Sequence, residues 1–241
     1  MHKLFNIDSG FFRFMAKIAD IILLNGIFLV LSFGVITIGP GLIALYYIML
    51  KEVRDEETEV VKNFFKAFIK NFVQGVVLEI IVGGVGLFFA YDLYLVYNWN
   101  QNVDTMGSRI SLYALAGVTM VIALGFIYTF PMVAKFYNNT ANIIKNSMAM
   151  AISNLPSSLA VFAIWVIIGF LVKINPYNLM FAFGLATFVQ SFFFVKVFDK
   201  YIPKKESVEE EDSEGEISEE LGEEPVHVVL TEEDMEVKED K

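Results

Sequence analysis

Residues 21–50, IILLNGIFLVLSFGVITIGPGLIALYYIML, run without a charged side chain and stop at the charged block KEVRDEE. The hydrocarbon core of a bilayer takes a helix of about 20 apolar residues, so a run of this length belongs in lipid and has room for a turn inside it. Similar uncharged stretches recur at 110–134, 146–171 and 174–195, and a further apolar stretch surrounds Glu79 and Asp92. The expected fold class is all-α: a polytopic membrane helix bundle whose partner is the lipid bilayer, followed by an acidic C-terminal tail.

Composition points the same way. With 56% hydrophobic residues and 24 Phe in 241 positions, and a mean hydropathy of +0.56, one soluble core cannot hide the apolar surface. The formal charge of −10 belongs to the tail: residues 204–241 carry 4 Lys against 17 Asp plus Glu, net −13, which leaves 14 minus 11, or +3, for residues 1–203.

Two arrangements fit the first apolar run. If residues 18–38 cross and Gly39-Pro40-Gly41 form a tight turn, a short second helix at 42–57 returns, with Pro40 where a missing N–H is harmless, and the chain has six helices. If the run is one Pro-kinked helix, there are five crossings. Six crossings put 14 Lys and Arg on the cytoplasmic side and two, Arg109 and Lys173, outside; five give 11 against 5. The positive-inside rule favours six. Asp8 and Asp20 interrupt any secretory-signal pattern, so the first helix is read as retained. Residues 1–17, with Phe5, Phe11, Phe12, Phe14 and Met15 among Lys3, Arg13 and Lys17, suit an interfacial segment or a frayed terminus.

The remaining spans are expected at 74–97, 110–134, 156–172 and 177–195, the last two joined by an Asn175-Pro176 turn. Glu79 would cost roughly 3 kcal/mol at a bilayer centre, but ten flanking apolar residues at about −0.4 kcal/mol each still favour insertion. Tyr91, Tyr94, Tyr97 and Trp99 form an aromatic collar expected at a membrane–water interface. Gly83-Gly84-Val85-Gly86 lies inside this apolar helix, where glycine is expected to permit close packing rather than to hold a phosphate.

Between the second and third spans, VVKNFFKAFIKNF places Phe64, Phe65, Phe68 and Phe72 at steps of three to four, and Lys62, Lys66 and Lys70 at steps of four on a second face. The pattern reads as an interfacial helix with lysines toward anionic headgroups, or as a docking helix for a cytoplasmic partner. Its first twelve residues, 60–71, align without gaps to IIKNSMAMAISN, 143–154, which suggests two related halves.

The segments FFRFMAKIADIILLN, TIGPGLIALYY and LKEVRDEETEVVKNFFKAFIKNFVQG resemble the YesL-like family of small bacterial integral membrane proteins, a domain of unknown function. The resemblance is specific over residues 11–75. It implies a plasma-membrane location in Gram-positive bacteria and a frequent genetic association with carbohydrate uptake and breakdown. It supplies no catalytic residue, and the acidic extension after Lys205 lies outside it.

The chemistry available is narrow. There is no cysteine, which excludes disulfides, thiolate metal sites and cysteine nucleophiles. His2 and His227 stand at opposite ends of the chain, which removes histidine-centred catalysis, HExxH zinc sites and histidine relays from the membrane core. No GxxxxGK[ST] is present, and no paired carboxylates or nucleophile with its base can be assembled. The chain is read as no enzyme, with no cofactor, metal or nucleic-acid partner. Site candidates are the intramembrane polar residues Asn25, Glu79 and Asp92, with Asp20 at the edge of a span. Their bland roles are an interhelix hydrogen bond for Asn25, interfacial positions for Asp20 and Asp92, and a pair with Lys70 or Lys135 for Glu79. Lys62, Lys66 and Lys70 are the candidate contacts for a partner or for lipid.

The tail has the composition of a disordered, cytoplasmic segment, with one apolar island, VHVVL at 226–230, suited to pairing with a sheet edge. The leading expectation is a plasma-membrane accessory or scaffold protein linked to carbohydrate uptake through transporter or sensor subunits. A small transporter or channel is the alternative.

Overall fold

The computed structural model describes residues 10–56, 59–103 and 105–202. Those residues form nine α-helices: α1 (Gly10–Ser32), α2 (Ile38–Val53), α3 (Val60–Lys70), α4 (Phe72–Val103), α5 (Met106–Phe126), α6 (Thr129–Lys135), α7 (Thr140–Ser153), α8 (Leu155–Ile174) and α9 (Leu179–Phe198). Short 3-10 turns, Val35–Thr37 and Pro176–Asn178, precede α2 and α9. Six segments are long and apolar enough to cross a membrane: Met15–Ser32, Val35–Val53, Phe72–Val103, Met106–Lys135, Leu155–Ile174 and Pro176–Phe198. The fold is an all-α, multi-pass membrane bundle with six spans. The acidic tail, its VHVVL island and residues 1–9 lie outside the described residues. Residues 10–17, expected in a separate interfacial segment, form the opening turns of α1.

Three hairpins organise the bundle: α1 with α2, α4 with α5, and α8 with α9. The first is antiparallel, with Lys17 meeting Asp55 at one end and Phe28 packed over Gly41 nearer the other. The turn joining α1 to α2 falls at Phe33–Gly34, not at Gly39-Pro40-Gly41 as the sequence suggested, and the helix expected at 42–57 is instead Ile38–Val53. Gly34 N–H donates to the Leu31 carbonyl at 3.1 Å, and the Thr37 hydroxyl donates to the Leu31 and Gly34 carbonyls, closing the chain reversal earlier. Pro40 lies in the first turn of α2, where a helix has no intrahelical use for the missing N–H. At the far end of α2, Asp55 adopts φ 56°, a left-handed turn that aspartate tolerates better than most residues.

Local sequence sets the other ends. Thr105 and Ser108 make a reciprocal capping box at the start of α5. Asn139 Oδ1 accepts from Asn142 N–H at 2.8 Å to start α7. In the last hairpin, Asn175 Oδ1 accepts from Tyr177 N–H at 3.1 Å, the turn expected from Asn-Pro.

The aligned segments 60–71 and 143–154 occupy matching places. Each forms a short helix, α3 or α7, ended by an asparagine whose Nδ2 donates to the carbonyl four residues back: Asn71 to Ala67 at 2.9 Å, and Asn154 to Met150 at 3.2 Å. A membrane helix begins at the next residue in both.

α2 is the centre of the molecule. Ile43, Tyr46 and Leu50 join one core with Leu78, Tyr128, Met132, Phe194 and Phe198. Ala44, Leu45, Ile48 and Met49, from its opposite face, join a second with Leu24, Phe28, Phe64 and Ala67. α3 folds back along α2, with Ala67 near Tyr47 and, just beyond α3, Gly75 against Pro40.

Candidate functional site

Asn25 lies in the C-terminal half of α1, fully buried. Its Nδ2 donates to the Met180 carbonyl, and its Oδ1 accepts from Gly184 N–H at 2.7 Å. Met180 and Gly184 are the two ends of one i→i−4 step of α9, so the side-chain amide clips onto the backbone of the neighbouring helix. Gly184 makes this possible: a Cβ there would stand 2.8 Å from the Ile21 carbonyl oxygen and 2.9 Å from Asn25 Cβ. In a region without water this is an anchor that satisfies both halves of the amide.

Glu79 is committed to a backbone group in the same way. Its Oε2 accepts from Gly39 N–H, at 2.9 Å, in the first turn of α2. A helix N-terminus has unpaired N–H groups and a partial positive charge, so a carboxylate there is stabilised without a cation. The expected pairing with Lys70 or Lys135 is not what forms, because the nearer positive end is that of α2. The helices approach closely: a Cβ on Gly75 would lie 2.7 Å from Pro40 N, and one on Gly39 would meet the Gly75 carbonyl oxygen and stand 2.8 Å from Glu79 Cβ. Asp92 is half-exposed on α4 among the outward-facing Tyr91, Tyr94, Tyr97 and Trp99, far in sequence from the α2 contact. Asn25, Glu79 and Asp92 therefore form no common cluster.

The sequence reading passed over a second buried polar pair. Tyr46 O–H donates to Gln190 Oε1 at 2.5 Å, both fully enclosed. Among the described residues, Gln190 Nε2 and Thr129 Oγ1 have no hydrogen-bond partner. A glutamine in the apolar run 174–195 was the available signal. Tyr46 also lines an apolar cavity of about 310 Å³ between α2, α4, α5 and α8, with Leu42, Gly86, Thr119, Phe126 and Trp165.

A different cleft, of about 90 Å³, opens between α3 and the α6–α7 segment. Asn63, Lys66 and Lys70 line it from α3, Tyr47 from α2, and Phe136 and Tyr137 from the segment after α6. Gln74 Nε2 donates to the Asn138 carbonyl at 2.8 Å and ties α4 to the far wall. Lys62 is exposed outside this cleft and pairs with Glu59 at 2.6 Å. Among the described residues, neither Lys66 nor Lys70 joins an ion pair.

Asn25, the Gly39–Glu79 contact, the three lysines and Asp92 fall in one continuous stretch of α1 to α4. Residues 21–93 match the family described as "Protein of unknown function, DUF624". The DUF624 match thus takes in Asn25, the Gly39–Glu79 contact, the three lysines and Asp92. A curated relative, "Uncharacterized protein YteU" of Bacillus subtilis (strain 168), is 24% identical over 150 residues, covering 62% of this chain and 65% of that protein, just short of two thirds of its length. No solved structure matches the chain.

Proposed function

We propose that this protein is a non-enzymatic accessory or scaffold protein of the cell membrane, with its C-terminal tail in the cytoplasm, and that it works by contact with transporter or sensor subunits of a carbohydrate-uptake system. The observation that carries this reading is the use made of the polar groups inside the spans. Asn25 and Glu79 both hold backbone groups of neighbouring helices, and Tyr46 and Gln190 bind each other. Side chains occupied in this way build a rigid bundle rather than line a path for a polar solute. The exposed lysines of α3 supply a contact surface at its edge. The link to carbohydrate uptake rests on the resemblance of residues 11–75, and the cytoplasmic tail on the excess of lysine and arginine in the segments on that side.

The test is gentle detergent extraction of the tagged full chain from its native membrane, with mass spectrometry of co-purifying proteins against a tag-only control. Recovery of sugar-transporter or membrane-sensor subunits is the expected result. A partner-free homomer that carries solute flux when reconstituted alone in liposomes would replace this reading with the transporter one.

A further inference from the structure

We propose that the cleft between α3 and the α6–α7 segment binds the phosphate headgroup of an anionic glycerophospholipid, with Lys66 and Lys70 as its cationic wall. The inference goes beyond the accessory role and stands without it, since a lipid site serves a protein with or without protein partners.

The order of residues around α3 sets its relation to the bilayer. At about 100° per residue, Phe64 and Ala67 form the buried face. Next comes an outward apolar band, Val61, Phe65 and Ile69, continued by Val73 of α4; Ile69 is 71% exposed and Val73 75%. The lysines Lys62, Lys66 and Lys70 follow, all exposed, and beyond them Asn63 turns into the cleft. Large apolar side chains left outward on a membrane protein face hydrocarbon, so the adjoining lysines stand at headgroup depth and the cleft opens behind them.

The cleft has the chemistry of a phosphate site. Lysine ammonium groups and the amide of Asn63 can donate to anionic oxygens, and among the described residues no carboxylate lines the cleft. A third cation stands beside it: Lys51 Nζ is 5.4 Å from the centre of the Tyr47 ring, though Glu56 shares that ammonium at 3.8 Å. The volume, about 90 Å³, is several times the roughly 10–15 Å³ that a single water needs. That admits the phosphate of a headgroup. Phosphate from a bilayer lipid is favoured over a soluble phosphate because the apolar band puts the cleft at the membrane surface.

The experiment titrates the full-length, detergent-purified protein with phosphatidylglycerol and with phosphatidylcholine, counting bound lipid by native mass spectrometry. Wild-type protein is expected to prefer phosphatidylglycerol. The K66Q/K70Q variant is expected to lose that preference with a ~30-fold weaker affinity, from two surface lysines. K62Q, altered outside the cleft, is expected to bind as wild type, and K66R/K70R, which keeps both charges, to retain binding. Equal affinity of the wild type for the two lipids would overturn the proposal, as would equal losses in K62Q and K66Q/K70Q, or loss in K66R/K70R. Displacement of the lipid by sn-glycerol phosphate at an equal concentration would assign the cleft to a soluble phosphate compound. Displacement by a peptide of residues 206–224 would assign it to the acidic tail. Either result overturns the lipid assignment.

Discussion

The helices around α2 and the α4–α5 hairpin are built on opposite principles. Of the apolar window in the α2 span, 61% is buried within the protein, and of that in the α9 span 50%; for the α4, α5–α6 and α8 spans the share is 11%. Mean hydropathy runs the other way, 1.3 for α2 and 1.7 for α9 against 2.1 to 2.3 for the other three. Hydropathy here tracks exposure to lipid rather than depth in the fold. A helix mostly facing hydrocarbon must keep its outward faces apolar, whereas a helix enclosed by protein can carry Tyr46 or Gln190 if another helix answers their polar atoms.

Glycine divides along the same line. Gly83, Gly84 and Gly86 of α4 have open space where a Cβ would go, so the close packing expected of that cluster does not occur there. Gly39, Gly75 and Gly184, all at contacts made by α1, α2 or α9, have backbone or side-chain atoms within 3 Å of that position. The cluster, with Gly86 at the edge of the cavity beside α2, is therefore free of packing constraint, and the scattered single glycines are the close contacts.

The largest test of this contrast is Gly75→Ala, whose methyl would run into the Pro40 backbone. A loss of about 3 kcal/mol is expected, read as a lower denaturation midpoint or the absence of a monodisperse species in detergent. Gly83→Ala and Gly84→Ala should be neutral or raise stability by up to ~1 kcal/mol, since alanine suits a helix interior better. If Gly83→Ala proves as damaging as Gly75→Ala, the contrast between the two regions fails.

Asn25→Leu comes next. Losing both hydrogen bonds to α9 should lower stability by about 1–2 kcal/mol, measured in the same denaturation series. A change within error would mean that the clip adds nothing to the packing already present. For Glu79 two substitutions separate charge from hydrogen bonding. Glu79→Gln keeps an acceptor for Gly39 N–H and should cost less than ~1 kcal/mol, the charge–dipole part alone, while Glu79→Leu should cost more. Equal losses would show that the hydrogen bond contributes little. The smallest effect belongs to the Arg54–Asp199 pair, which joins the ends of α2 and α9 at the exposed rim. Arg54→Ala should cost at most ~1 kcal/mol, and the difference from wild type should shrink as salt rises.

Much of the candidate site could be read from the chain, but not its wiring. The lysine and phenylalanine spacing of 60–72 separates an apolar face from a basic one, because helical periodicity is local; that the apolar side divides into a buried Phe64 and an exposed Phe65 is not in the spacing. Asn25 was expected to bond a neighbouring helix and does; that the partner is the α9 backbone at Met180 and Gly184, some 155 residues away, has no local signature. Glu79 was assigned a lysine because charge is visible in a sequence, and the partial charge at the start of α2 is not. The turn at Phe33–Gly34 was misplaced by the strong Gly-Pro-Gly signal, which helix initiation uses as readily as a loop.

Six apolar runs, their caps and the Asn-Pro hairpin are properties of short stretches, and the linear order of residues settles them because transfer into lipid and helix capping depend on neighbours a few positions apart. Which of the six helices lies at the centre, which glycines sit against another backbone and where each intramembrane polar group finds its partner depend on segments distant along the chain. Hydrocarbon cannot answer those groups, so tertiary packing decided them, and it placed the least hydrophobic span, α2, in the middle.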